Sequence, residues 1–150
     1  KKIGFTCSDI NMIRFFGEQM NTLLKFQPDY LFCNEQEALA LTQTNTLTEA
    51  AQALTQVAHT SILTKGSQGA SIITPSQTIE IPAYPAQAID TNGAGDTFAG
   101  AFLAGIANQD SLERAGHLAA QAAAKIVSKV GPRLSPTDIT TLVTETHPKH

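Results

Sequence analysis

The sequence predicts an α/β protein built on a mostly parallel sheet, and three observations lead to that class. Short apolar runs at residues 3–7, 30–33 and 61–64 have the length and bounds of buried strands. Longer stretches of helical character separate them, as parallel crossovers require. After residue 64 two further strand-like segments sit close together, which predicts a small antiparallel excursion.

In order, residues 3–7 form the first strand. Ser8 or Asp9 caps a helix over residues 12–26, with Met12, Phe16, Met20, Leu23 and Leu24 at helical spacing and Pro28 beyond its end. Residues 30–33 are the second strand, and Asn34-Glu35-Gln36-Glu37 opens a short helix through Leu41. Thr46 caps a helix over 47–58, with Glu49 placed as in a capping box. Residues 61–64 are the third strand, turned by Lys65-Gly66-Ser67-Gln68-Gly69 into strands at 70–74 and 78–81. The stretch 82–85 is irregular, and Ala88-Ile89 reads as a third strand end leading into a glycine-rich motif. The helix after that motif ends near Asn108. Asp110 or Ser111 caps an alanine-rich helix over 112–129 whose small side chains permit close packing, and Gly131-Pro132 stops it. Ser135 or Thr137 starts a last helix over 137–146, and the tail Pro148-Lys149-His150 should fray.

The chain of 150 residues, 42% of them hydrophobic, is long enough for one domain with a real core. No repeat, linker or low-complexity segment divides it. The net charge is −3 with no basic run, which argues against a nucleic-acid partner. Cys7 and Cys33 read as reduced thiols. His59, His117, His147 and His150 have no zinc-ligand spacing with them. The sequence as it stands shows no signal-peptide pattern and no apolar run long enough for a bilayer, so the expectation is a cytoplasmic protein with no membrane partner.

The richest segment is Asp90-Thr91-Asn92-Gly93-Ala94-Gly95-Asp96, followed by an apolar helix. Gly93 and Gly95 let the backbone turn sharply and approach a ligand. A helix starting there points unpaired N–H groups and its positive dipole end outward, which suits a phosphate. Asp96 would repel a resting phosphate, so the chemistry that fits it is general base for an attacking hydroxyl. The plainer reading is a helix start with glycines used for packing.

Two further turns follow predicted strands, and parallel strands would put all three turns on one sheet edge, where ligands gather. Asn34 and Glu37 can hold the water shell of a magnesium ion, or simply cap their helix. Thr64-Lys65-Gly66-Ser67-Gln68-Gly69 can offer backbone N–H groups and a lysine charge to a nucleotide, or be an ordinary turn. Lys65 is outside any Gly-x-x-x-x-Gly-Lys pattern. His117 and Gln121, one helical turn apart, can border a flat ligand such as adenine, although a lone helical histidine is commonly structural.

Asp90 to Phe98 resembles the C-terminal signature of the ribokinase family, also called PfkB carbohydrate kinases. Asn34-Glu35-Gln36-Glu37 resembles the family's Asn-x-x-Glu motif, and Thr64 to Ala70 resembles its Thr-x-Gly-x-x-Gly turn. Order and spacing agree over nearly the whole chain. Asn92 and the stretch Arg114 to Ala120 look most like adenosine-kinase-type members.

The resemblance implies a ribokinase-like three-layer α/β/α fold, here as its C-terminal nucleotide-binding half. It implies Asp96 as the base and Gly93, Ala94 and Gly95 as the anion hole. Asn34 and Glu37 would organise Mg2+ and phosphate, with Thr64, Lys65, Gly66 and Gly69 around the nucleotide. His117, Ala120 and Gln121 are the candidates beside the adenine. Asp90 and Asn92, with the backbone near Ile126 to Gly131 and Ser135, would correspond to the K+ loop of many members. Family members carry about as much chain again ahead of this region, including a lid and the acid that holds the sugar. The resemblance therefore implies pairing with such an N-terminal half, or homo-oligomerisation at an open sheet edge.

Two function classes follow. One is ATP-dependent phosphoryl transfer to a hydroxymethyl group of a sugar or nucleoside, adenosine first among acceptors. The other is a nucleotide- or anion-binding fragment with no catalysis of its own. A purely structural assembly piece is a third.

Overall fold

The computed structural model describes residues 1–146, so the tail expected to fray and His147 and His150 lie outside the described residues. The chain forms two compact units. One comprises Lys1–Gly66 and Ala70–Glu80, and the other comprises Ser67–Gly69 and the chain from Ile81 onward.

The first unit runs β1 (Gly4–Thr6), α1 (Ile10–Leu24), β2 (Tyr30–Asn34), α2 (Glu35–Thr42), α3 (Leu47–Leu54), β3 (Thr60–Thr64), β4 (Ala70–Ile73) and β5 (Thr78–Ile81), the last residue of which belongs to the second unit. The strand order is β1-β2-β3-β4-β5. The β1/β2 and β2/β3 pairs are parallel, with Phe5 beside Leu31 and Phe32 beside Ile62. The β3/β4 pair is antiparallel, with Ile62 beside Ile72. Connection length decides this. The links before β2 and β3 are long enough to carry helices, whereas the short turn after Thr64 can only reverse the chain. Residues 30–33 of β2 and 60–63 of β3 are buried throughout, the continuous pattern of strands covered on both faces. Leu31, Cys33, Leu54, Leu63 and Ile73 share a core with Ile13, Met20 and Leu24 of α1.

Local capping sets the helix starts. The Asp9 carboxylate accepts the Asn11 N–H at 2.6 Å. Thr46 and Glu49 form the reciprocal box over α3, with Glu49 N donating to Thr46 Oγ1 and Thr46 N to Glu49 Oε2. Two helices end earlier than their periodicity predicts. α3 stops at Leu54 and not at 58, because Thr55, Gln56 and Val57 N–H groups bond three residues back, to Gln52, Ala53 and Leu54. α1 stops at Leu24 and not at 26 for the same reason, with Phe26 and Gln27 bonding to Leu23 and Leu24.

The second unit holds α4 (Ala94–Ala107), α5 (Leu112–Val127) and α6 (Pro136–Thr146). The small-residue face of α5 packs against α4: a Cβ added to Gly105 would stand 3.0 Å from both Cα and Cβ of Ala115. Phe98 and Phe102 of α4 and Ala119, Ala122 and Ile126 of α5 are buried. Ser111 caps α5 by accepting the Arg114 N–H at 3.2 Å. α5 ends at Val127, two residues short of the predicted Lys129, and the last carbonyl is taken by another segment. No strand precedes the glycine motif: residues 82–89 are irregular, a correction to the third predicted strand end. Pro82 and Pro85 remove ladder donors there. Ile89 and Asp90 N–H groups go to the Val127 carbonyl at 2.7 and 3.1 Å. Among the described residues no helix is long and apolar enough to cross a membrane.

α6 starts from a reciprocal Ser135–Asp138 cap. Asp138 N donates to Ser135 Oγ at 3.2 Å, and Ser135 N donates to Asp138 Oδ2 at 3.1 Å. Lys129 Nζ donates to the same carboxylate at 2.5 Å, with Lys125 Nζ at 3.8 Å. Lys129 first, then Ser135, holds the Asp138 carboxyl well below its ordinary value of 3.8. A depressed carboxyl contributes stability that is complete above the unfolded value and is lost as pH falls through the folded one. The wild-type chain should therefore lose stability on acidification below about pH 4 more steeply than Asp138→Asn. Urea unfolding of both proteins at pH 7 and in acid measures this, and equal acid losses would contradict the role of Asp138.

Candidate functional site

The glycine turn is fixed from three sides, all within the second unit. Asp90 Oδ1 accepts the Asn92 N–H at 2.9 Å, and Asp90 Oδ2 accepts the Gly131 N–H at 3.1 Å. Those two N–H groups hold the Asp90 carboxyl below its usual range, the Asn92 bond being the larger cause. Gly93 is the N-cap of α4 in the left-handed region, with φ 77°. A Cβ there would stand 2.5 Å from the Pro132 carbonyl oxygen. Only glycine meets both conditions.

Gly95 is different. It has no positive φ, and a Cβ built on it would meet nothing within 4 Å. Nothing in the protein demands a glycine there, and a ligand approaching the backbone would. No side chain caps α4. Of the three N–H groups in the predicted anion hole, that of Ala94 is directed at the Thr91 carbonyl at 3.3 Å. The N–H groups of Gly95 and Asp96 lie in the uncapped first turn, where no earlier helical carbonyl is available to them. Asp96 is exposed, and among the described residues its carboxylate has no hydrogen-bond or ion-pair partner.

Asn34 and Glu37 belong to the first unit, at the carboxyl end of β2. They form the reciprocal cap of α2: Glu37 N donates to Asn34 Oδ1 at 2.9 Å and Asn34 N donates to Glu37 Oε2 at 2.9 Å. That satisfies the plainer of the two sequence readings. It also leaves Glu37 Oε1 outside the cap. Glu37 is buried, and burial raises its carboxyl above the usual range, with the Asn34 N–H opposing and the nearby Asp9 charge adding.

Thr64 ends β3, and the parallel β2/β3 register sets it beside Asn34. These two turns therefore do share a sheet edge. The Thr64 hydroxyl reaches the Cys33 carbonyl at 3.4 Å. Gly66 has φ 55° with open space around it, whereas a Cβ on Gly69 would collide with the Ile81 carbonyl oxygen. Gly66 is thus open to a ligand and Gly69 is needed for packing. Lys65 is engaged: its Nζ donates to Glu80 Oε2 at 2.6 Å, and Ser71 Oγ donates to both Glu80 oxygens at 2.8 and 3.0 Å. Glu80 thus offsets the Lys65 charge at this turn.

On α5, the His117 Nδ1 lies 3.2 Å from the Tyr84 hydroxyl, with the rings edge to face. Ala120 is buried and Gln121 half-buried. The Ser135 hydroxyl donates to Asp138 Oδ2 at 2.6 Å while capping α6, and its carbonyl accepts the Ile139 N–H at 3.1 Å. Sequence reasoning missed Glu80, Tyr84 and Pro132. A lone acid on a hairpin strand facing Lys65 was a usable signal for Glu80. The others act through backbone atoms or a long-range contact that carries no sequence pattern. Among the described residues no group of three or more His, Cys, Asp or Glu side chains is placed to hold a metal ion.

The family model described as pfkB family carbohydrate kinase matches residues 5–139. Ribokinase of Bacillus subtilis (strain 168) is 36% identical over 102 residues, covering 68% of this chain and 34% of its own length. The adenosine kinase from Sinorhizobium meliloti superposes with a TM-score of 0.90 at 27% identity, over 97% of this chain and 45% of that one. The putative Ribokinase II from E. coli, in complex with ATP and Mg2+, gives 0.81 at 26% identity, over 96% and 49%. The chain thus spans about a third of the ribokinase and just under half of the two solved kinases. The ribokinase-like α/β fold predicted from the motifs is the fold these structures share.

The contrast between the two glycines is testable by stability alone. Gly93→Ala should cost about 1–3 kcal/mol, from left-handed strain and the Pro132 collision. Gly95→Ala should be neutral or stabilising by about 0.5–1 kcal/mol. Urea denaturation of both variants checks this, and equal destabilisation would show that Gly95 is a packing residue.

Proposed function

The chain belongs to the pfkB family of carbohydrate kinases, and on that premise we propose that it carries the phosphoryl-transfer residues of an ATP-dependent sugar or nucleoside kinase. The observation that carries the proposal is the uncapped first turn of α4 with Asp96 exposed inside it and, among the described residues, without a side-chain partner. A carboxylate in a first helical turn is favoured by the helix dipole, and one with no side chain bonded to it is also free to take a proton.

In this reading the Asp96 carboxylate accepts the proton of the acceptor's hydroxymethyl group. The hydroxyl oxygen forms a bond to the γ-phosphorus, the bond to the bridging oxygen breaks, and ADP leaves. The Gly95 and Asp96 N–H groups hold the transferred phosphoryl, with Ala94 joining if its long bond to Thr91 opens. The protein's contribution is position and charge, as in other phosphoryl transfers.

Glu37 suits a hydrated magnesium ion, because Oε1 stays outside the α2 cap and a hard cation takes oxygen ligands through water. The ion would offset phosphate charge. Asn34, whose Oδ1 is committed to the cap, has its amide N–H groups left for phosphate oxygens. Thr64 and Gly66 are placed to meet the nucleotide, and Lys65 adds charge once it exchanges Glu80 for phosphate. His117, Ala120 and Gln121 are assigned to the base. Asp90, Asn92 and Ser135, with the backbone near residues 126–131, are assigned to a K+ loop. The two buried, unpaired cysteines accord with a cytoplasmic location.

The fraction of the relatives' length that the chain spans favours a second reading, nucleotide binding without turnover. Thermal unfolding with Mg·ATP separates both readings from a purely structural piece. Saturation at 100 times the dissociation constant should stabilise the chain by about 2.7 kcal/mol. No shift with ATP would reject both. Transfer to adenosine or ribose by the 150-residue chain itself would reject the binding-only reading. In any active protein containing this chain, Asp96→Asn should lower turnover about 10²–10⁴-fold with ATP affinity nearly unchanged. Wild-type turnover in that variant would remove Asp96 from its role.

A further inference from the structure

Cys7 and Cys33 are the two cysteines of the chain, both buried, and neither takes part in the proposed phosphoryl transfer. They meet across neighbouring strands of the first unit. β1 and β2 run parallel with Thr6 beside Phe32, so the next pair in that register is Cys7 beside Cys33. The Cys7 N–H donates to the Phe32 carbonyl at 3.0 Å, the bond a parallel ladder makes at that pair. Paired residues send their side chains to one face of the sheet, and both cysteines belong to the core that holds Ile13, Leu31 and Leu63. Adjacent strands lie about 4.8 Å apart, inside the roughly 4.4–6.8 Å between Cα atoms that a disulfide accepts. Among the described residues no group of three or more His, Cys, Asp or Glu makes the pair part of a metal site.

The ladder is only half made at this pair. Its second bond would run from the Asn34 N–H to the Cys7 carbonyl. The Asn34 N–H goes instead to Glu37 Oε2, and the Cys7 carbonyl accepts the Asp9 N–H at 2.7 Å. Ser8, between Cys7 and Asp9, is in the left-handed region with φ 66°. β1 itself has three residues. Cys7 thus sits where a short strand ends and the chain turns away, a place that can open without unfolding the core. Cys33 is held more firmly, on a strand paired on both sides. The neighbouring Cys7 thiol first, and then burial, pushes the Cys33 thiol well above its ordinary range. A protonated, buried thiol is a poor nucleophile, so the pair rests reduced until the end of β1 opens.

We propose that Cys7 and Cys33 form a modification site, a dithiol that a small disulfide such as glutathione disulfide converts reversibly into a bridge between β1 and β2. The Cys7 thiolate, uncovered by local opening, attacks one sulfur of the small disulfide and expels a thiolate, which takes a proton. Cys33 then gives up its proton and attacks the Cys7 sulfur of the mixed disulfide, expelling the second small thiol. The two protein sulfurs are oxidised, and the small disulfide is reduced to two thiols that carry both protons away. The bridge fastens the end of β1 to the residue before Asn34, directly beneath the turn that caps α2. The proposal stands on the strand register and not on the roles of Asp96 or Glu37, so its test has no activity readout.

The test incubates the reduced, folded 150-residue chain with glutathione disulfide and quenches it with acid. Mass spectrometry should show the loss of two hydrogens and of both free thiols. The bridged chain should exceed the mixed disulfide about tenfold or more, because the second thiol is already in place. Excess dithiothreitol should restore the starting mass. In the bridged chain the Cys7 amide should exchange about tenfold more slowly. Cys33→Ser should stop at a glutathione adduct on Cys7, and the wild-type masses decide the matter if that variant does not fold. A chain that stays reduced while folded, gathers adducts on both cysteines, or crosslinks into disulfide dimers would overturn the proposal. So would a bridged chain whose Cys7 amide exchanges as fast as before.

Discussion

The carbonyl of Val127, at the last turn of α5, holds the N–H groups of Ile89 and Asp90, and the shape of the glycine turn depends on that pair of bonds. With the backbone of Asp90 anchored there, its carboxylate can reach Asn92 on one side and Gly131 on the other. Gly93 is then pressed against Pro132 so closely that no Cβ fits. The segment that ends α5 and the segment that begins α4 are thereby tied together. An uncapped helix start loses its first donors to water or to its own loop unless something fixes the approach of the chain. Here backbone bonds fix it, and the first turn of α4 is left free to face a ligand.

On the proposed assignment, stability and chemistry fall on different residues of the same short motif. Asp90 and Gly93 are spent on holding the turn. Gly95 and Asp96 make no side-chain bond to it: one has open space where a side chain would be, and among the described residues the other's carboxylate has no partner. α4 and α5 give this turn a rigid base through the close approach of Gly105 and Ala115. The Lys129–Asp138–Ser135 contacts then fasten α6 to the chain leaving α5. A site built this way is set before ligand arrives, which is what positioning catalysis requires.

Much of this was legible in the residues themselves. The buried strands, the caps at Asp9, Thr46 and Ser111, and the antiparallel excursion after Thr64 each rest on local chemistry that a sequence displays. So does the glycine motif, whose turn residues and following helix are visible in the residues themselves. Helix ends were less legible, because 55–57 and 26–27 choose three-residue bonding without a glycine or proline to announce it. The supposed strand before Asp90 failed because Ile89 found its hydrogen-bond partner on α5, 38 residues away, a long-range choice with no local mark. Lys65 read as a free charge because its partner, Glu80, is brought to it only by the hairpin. The Asn34–Glu37 pair shows a different limit, since one geometry serves as a helix cap and still leaves Glu37 an oxygen outside that cap.

The division of labour within the glycine turn can be watched directly in the backbone amides. Two-dimensional proton–nitrogen spectra of the chain, titrated with Mg·ATP and in parallel with adenosine and Mg2+, would resolve Gly93, Gly95 and Asp96 separately. The expected result is a saturable shift of the Gly95 and Asp96 amides with ATP and not with adenosine, while the Asn92 and Gly131 amides, already bonded to Asp90, stay nearly still. Saturable ATP binding that moves other amides and leaves Gly95 and Asp96 unchanged would contradict the assignment of this turn to the transferred phosphate.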